Sequence, residues 1–113
     1  MSPLERDFTP VEAAPVFAAL GDPTRLALVE QLNDGQPRSI VQLTDGMGLT
    51  RQGVSKHLRV LQQAGIVTSK KVGRESLFEL RPGTIKEATE YLERVSQQWD
   101  EALVRLKSFV ENA

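Results

Sequence analysis

Residues Ser39 to Gly65 read SIVQLTDGMGLTRQGVSKHLRVLQQAG, and the fold turns on this stretch. It predicts a short helix, a tight turn around Gly46, Met47 and Gly48, and a second helix opened by Thr50 and closed by Gly65. That order is a helix-turn-helix. In the second helix, residues 50–64, Val54, Leu58 and Leu61 recur at i, i+4 and i+7 and give an apolar stripe that packs on the preceding helix. Gln52, Ser55, Lys56 and Arg59 form a polar stripe at i, i+3, i+4 and i+7, with Arg51 beside its start. Glutamine matches adenine edges, arginine matches guanine edges or phosphates, and serine suits either, so this face carries groups that duplex DNA demands. The competing reading is an ordinary solvated helix face.

Length and composition bound the rest. At 113 residues, 40% hydrophobic and 26% charged, the chain is sized for one soluble globular domain, residues 1–113. No apolar run reaches membrane-spanning length, and the N-terminal MSPLERDFTP holds no apolar signal block, so no membrane partner and a cytoplasmic location are expected. The absence of cysteine excludes disulfides, thiol nucleophiles and thiolate metal sites.

A net charge of −1 and a pI near 5.8 argue, at face value, against a polyanion partner. The distribution reverses that. Between Gly46 and Arg74 lie six basic residues, Arg51, Lys56, Arg59, Lys70, Lys71 and Arg74, and no acid; the other eight basic residues share the chain with all fifteen acids. Positive charge is gathered where a polyanion would dock.

Residues 1–8 read as a flexible tail. Thr9, Pro10 and Glu12 form a helix start with a capping box, although Pro15 either kinks that helix or moves its start to around Ala14. Val16, Phe17 and Leu20 give its apolar side. Gly21 to Thr24 separate it from a second helix, about Pro23 to Asn33, with Leu26, Val29 and Leu32 as its stripe and Leu28 nearby.

Downstream of the helix-turn-helix, residues 66–80 predict a hairpin: strands 66–72 and 75–80 joined by Gly73 and Arg74 in a type II′ turn. That loop pairs Val67 with Leu80 and Ser69 with Phe78 on one face, and Thr68 with Glu79 and Lys70 with Leu77 on the other. An apolar base then sits near the helices, and Lys70, Lys71 and Arg74 lie toward the tip. Such a hairpin after a recognition helix is a wing, suited to phosphates or a minor groove. Thr84 and Glu87 predict a capping box that opens a last helix, 84–111. Its stripe of Leu92, Val95, Trp99, Leu103, Leu106 and Val110 exceeds what a compact domain buries. Pairing with a second copy, together with Val16 and Phe17 of the first helix, is expected; intramolecular packing is the alternative.

This order of elements resembles the ArsR family of bacterial winged helix-turn-helix repressors over nearly the whole chain. AALGDPTRLALVEQL (18–32), GLTRQGVSKHLRVLQQAGIV (48–67) and KKVGRESLFEL (70–80) carry the resemblance, the second most specifically. It implies a mainly α fold with a small β-hairpin, a winged helix-turn-helix with a long terminal dimerisation helix. It also implies a homodimer that binds operator DNA and is released by a small-molecule effector, with Thr50, Arg51, Gln52, Ser55, Lys56 and Arg59 facing the DNA and Lys70, Lys71 and Arg74 in the wing. The chain departs from the metal-sensing branch, whose members carry cysteines in the helix matching residues 39–44 or His and carboxylate pairs on the terminal helix. Here SIVQLT has no thiol and the terminal helix no histidine, so no metal and no cofactor are expected; Glu90, Glu93 and Asp100 read as solvated charge. The ending QQWDEALVRLKSFVE (97–111) is similar to a metal-free branch.

His57, the single histidine, reads as a packing or hydrogen-bonding residue between the two stripes of its helix. With Ser55 it makes no catalytic pair, because i and i+2 do not face each other on a helix. Nothing else in the chain has the spacing of an enzyme's machinery. The expectation is therefore a homodimeric DNA-binding repressor, against the alternative of a winged-helix module that binds protein instead.

Overall fold

A side-chain cap followed by proline at the first helical position starts each of the two N-terminal helices, both unstrained uses of a residue that lacks an N–H. The computed structural model describes residues 8–112. Helix α1, Pro10–Leu20, is capped by Thr9, whose Oγ1 accepts from the Glu12 amide at 3.3 Å. It continues through Pro15, so the later start at Ala14 does not occur. The one carbonyl that Pro15 deprives of a donor is that of Val11, which is 84% exposed and open to water.

Helix α2, Pro23–Gln31, is capped by Asp22, whose Oδ2 accepts from the Arg25 amide at 3.0 Å. It ends two residues before the expected Asn33. Leu28 and Leu32 are fully buried and Val29 packs against the core, whereas Leu26 faces outward at 46% exposure, so of the predicted stripe only Leu26 leaves the buried side.

Helix α3, Ile40–Thr44, opens on a reciprocal cap: Ser39 Oγ accepts from the Gln42 amide at 3.2 Å, and Gln42 Oε1 accepts from the Ser39 amide at 2.8 Å. Gly46 and Gly48 take φ of +79° and +67° in the turn. Helix α4 spans Arg51–Gln63, with Thr50 Oγ1 accepting from the Gly53 amide at 3.0 Å. It closes in a Schellman motif: Gly65 at φ +76° donates to Gln62 O at 3.0 Å, and Ile66 donates to Leu61 O at 2.9 Å.

Strands β2, Val67–Val72, and β3, Glu75–Leu80, pair in the predicted register from Val67 opposite Leu80 to Val72 opposite Glu75. Gly73 has φ +63° and Arg74 a negative φ, the sign pattern of a type II′ turn. The sheet has a third strand that the sequence reading lacks. Strand β1, Arg38–Ser39, pairs antiparallel with β3, giving the order β1-β3-β2. Its entry is fastened by Arg38, whose guanidinium holds both Asp34 carboxylate oxygens at 2.9 and 2.6 Å and also donates to Gln31 O.

Helix α5, Pro82–Glu111, begins two residues early and without the predicted Thr84–Glu87 capping box. Thr84 Oγ1 instead donates to Gly65 O at 2.6 Å, binding the start of α5 to the end of α4. One core unites the elements: Leu28, Leu32, Leu43, Val54, Leu58, Leu61 and Ile66 are at most 1% exposed. Phe8, assigned to the tail by sequence, packs against this core and meets Tyr91 edge-on, and its carbonyl accepts from Arg94 at 3.2 Å; the rest of that tail lies outside the described residues. Past this junction α5 runs free. The radius of gyration is 18.5 Å, against about 13 Å for a compact chain of this length.

Candidate nucleic-acid interface

Helix α4 shows how the surface is built. Val54, Leu58 and Leu61 are buried to 1% or less, each contributing roughly 2 kcal/mol through apolar burial. With that side fixed to the core, the 3.6-residue period leaves Arg51, Gln52, Lys56 and Arg59 exposed and Ser55 half-buried along the opposite side. Thr50 is exposed too, and its oxygen spends one lone pair capping α4, which leaves its hydroxyl hydrogen and a second lone pair for an outside partner.

The wing joins this surface through a side-chain bond: Gln62 Nε2 on α4 donates to Ser69 Oγ on β2 at 3.0 Å. From Thr68 to Glu75 every residue is exposed, so Lys70, Lys71 and Arg74 all reach solvent. The two lysines are not equivalent. Strand side chains alternate faces, so Lys71 shares the face of Ser69, which meets α4, while Lys70 points the other way with Leu77 as its neighbour. Among the described residues none of the six cations forms an ion pair or a hydrogen bond with its side chain. Asp45 and Glu75 flank the block at its two ends and are exposed.

Sequence reasoning missed what holds α4 from behind. Arg25 sends Nε to Ala19 O and NH2 to Ala18 O at 3.4 Å, satisfying carbonyls at the end of α1, and its NH1 lies 3.3 Å from His57 Nδ1. Asp22 Oδ2 is 3.8 Å from the same nitrogen. The Arg25 backbone amide, with the charge of Arg25, holds the Asp22 carboxyl below its ordinary value of 3.8. His57 is thus the hydrogen-bonding residue that its position between the stripes implied. The DPTR run around Arg25 was legible only as a helix start, because its contact is thirty-two residues away.

The residues assigned to a dimer surface divide. Val16 is 3% exposed and belongs to the protomer's own core, so it offers nothing to a partner. Phe17 is partly buried, with its ring 5.8 Å from that of Tyr91. Val95 is half-buried, whereas Leu92, Trp99, Leu103, Leu106 and Val110 are 53–65% exposed, and Phe109 adds to them at 75%. Among the described residues no three His, Cys, Asp or Glu side chains gather as metal ligands, and no helix is long and apolar enough to cross a membrane.

A cation-lined helix held against a core, beside a basic hairpin, defines the winged helix-turn-helix class. A helix-turn-helix domain model matches residues 20–70. The chain is 40% identical over 68 residues to the transcriptional repressor SmtB of Mycobacterium tuberculosis, an alignment covering 60% of this chain and about half of that protein's length. It is 31% identical over 96 residues to the transcriptional regulator Rv2034 of the same species, covering 85% of this chain and 86% of the relative. An ArsR-like transcriptional regulator from Rhodococcus sp. RHA1 superposes with a TM-score of 0.76 at 35% identity, covering 88% of this chain and 92% of that one. The chain belongs to the ArsR-like family of helix-turn-helix transcriptional regulators. These relatives are named as transcriptional regulators.

Proposed function

We propose that the protein is a homodimeric repressor that docks α4 in the major groove of operator DNA and sets its basic wing along the flanking backbone. The observation that carries this reading is the set of six exposed cations on α4 and the wing, unpaired among the described residues, in a chain whose net charge is −1. Phosphate contacts from Arg51, Arg59, Lys71 and Arg74 would supply affinity, while Gln52 and Ser55 are placed to read base edges. Two copies related by a twofold axis would put their recognition helices in successive major grooves. The uncovered apolar stripe of α5 supports that pairing. A cleft between the wing base and the start of α5, lined by Leu32, Thr68, Leu80, Arg81 and Ile85, is a candidate place for a small-molecule effector.

The test is binding of the purified protein to duplexes selected from a random pool, read by anisotropy. The selected duplex should bind more tightly than a scrambled one. Gln52→Ala should lose affinity mainly for the selected duplex, and equal losses on both would remove Gln52 from base reading. No binding even at low salt would favour a protein-interaction module instead.

A further inference from the structure

We propose that Arg25 and His57 are positioning residues for DNA recognition: the guanidinium, anchored on the end of α1, grips the imidazole of α4 and sets how the recognition helix sits relative to α1. The inference rests on the DNA-binding reading above and names its internal brace. Three observations converge on it. Arg25 uses separate nitrogens for separate helices, Nε and NH2 on the carbonyls of Ala19 and Ala18, and NH1 on His57. His57 sits between Lys56 and Leu58, one side of α4 exposed and the other buried, so its ring lies at the boundary of core and DNA face. Asp22, the cap of α2, stands 3.8 Å from the same ring nitrogen and completes the cluster.

The chemistry makes this brace sensitive to protonation. A guanidinium only donates, so Nδ1 must accept and the neutral ring carries its hydrogen on Nε2. When the imidazole takes a second proton, Nδ1 becomes a donor. It then repels Arg25 and turns to Asp22 Oδ2. Among the described residues the charged groups placed against the ring are the Arg25 cation of α2 and the Asp22 carboxylate of the α1–α2 turn; α1 meets Arg25 through carbonyls and carries its one charge, Glu12, in its first turn, α3 carries no charge, and the lysines of β2 belong to the wing. The brace is therefore made by the neutral ring and broken by the protonated one.

Three proteins test the idea: wild type, His57→Phe, which removes the acceptor, and His57→Asn, whose Oδ1 takes the place of Nδ1 without titrating. Each is titrated at pH 8 and pH 5.5 with a duplex selected by the wild type and with a scrambled duplex of equal length, thermal melts confirming the fold. At pH 8 His57→Phe should lose about tenfold in preference for the selected duplex, the loss expected of one charge-assisted hydrogen bond, while keeping its affinity for the scrambled one. His57→Asn should keep the preference at both pH values, and the wild type should hold it less well at pH 5.5 than at pH 8. Unchanged preference in His57→Phe, or equal loss in His57→Asn, overturns the brace. A second readout stands apart from DNA: titrating His57 by NMR should shift the amides of Ala18 to Gly21 in the wild type and leave them still in Arg25→Gln. Amides that ignore the imidazole in the wild type contradict the brace, whereas a wild type that binds no duplex contradicts only the DNA-binding reading.

Discussion

Helices α4 and α5 handle the same problem in opposite ways. Helix α4 has thirteen residues, three of them fully buried, and every large apolar side chain but Val60 is turned to the core. Helix α5 has thirty residues and buries one, Ala88, leaving Leu92, Trp99, Leu103, Val104, Leu106, Phe109 and Val110 at least half exposed. One helix is finished within the protomer; the other carries more apolar surface than its own chain can cover. The contrast separates what this chain stabilises alone from what a second copy would complete.

The sharpest way to break that contrast is to remove a side chain from the finished half. Leu58→Ala should destabilise the protomer by about 2–5 kcal/mol, since the buried site loses both transfer energy and packing. Chemical denaturation measures it, and a loss below about 1 kcal/mol would mean that the α4 core is loosely held. Trp99→Glu should act on the other half alone. Sedimentation should then show a shift from dimer to monomer with the helical spectrum kept, whereas an unchanged dimer would acquit that surface.

Smaller effects follow from the joints between the halves. Gly65→Ala forces a Cβ onto a residue at φ +76° between α4 and the Thr84 contact, so a loss of about 1–2 kcal/mol is expected in a thermal melt. The smallest is the acid response. Arg38 beside Asp34, and the Arg25 amide on Asp22, hold both carboxyls below the ordinary 3.8. A depressed carboxyl stabilises the fold above its unfolded value, and that stabilisation fades as pH falls through the folded one. Stability should therefore decline below pH 3.8, more gently in Asp34→Asn. An identical acid profile would show that the Arg38–Asp34 pair adds nothing.

The two halves were also unequally legible. Caps, positive-φ glycines and a two-residue hairpin turn are local chemistry, so the helix-turn-helix limits and the wing register could be read from neighbouring residues. Contacts set by distant partners could not. Strand β1 is two residues long and exists because Phe78 and Leu77 lie beside it. Thr84 carries the residue pattern of a capping box, yet Gly65 O, nineteen residues back, takes its hydroxyl. Val16 sits on the apolar side of α1 as read, but periodicity cannot say whether the surface that covers it belongs to the same chain or to another. Leu26 marks the same limit, since spacing alone put it in the stripe with Val29 and Leu32, yet it is the member that faces outward.

The cationic surface itself is tested most directly by the salt dependence of duplex binding in the wild type and in Arg51→Ala/Arg59→Ala. Each phosphate contact contributes about 0.9 to the slope of log affinity against log salt. If both arginines engage the backbone in each of two protomers, the double variant should lower that slope by about 3–4. A slope that stays at the wild-type value would place those two side chains away from the DNA and contradict the account.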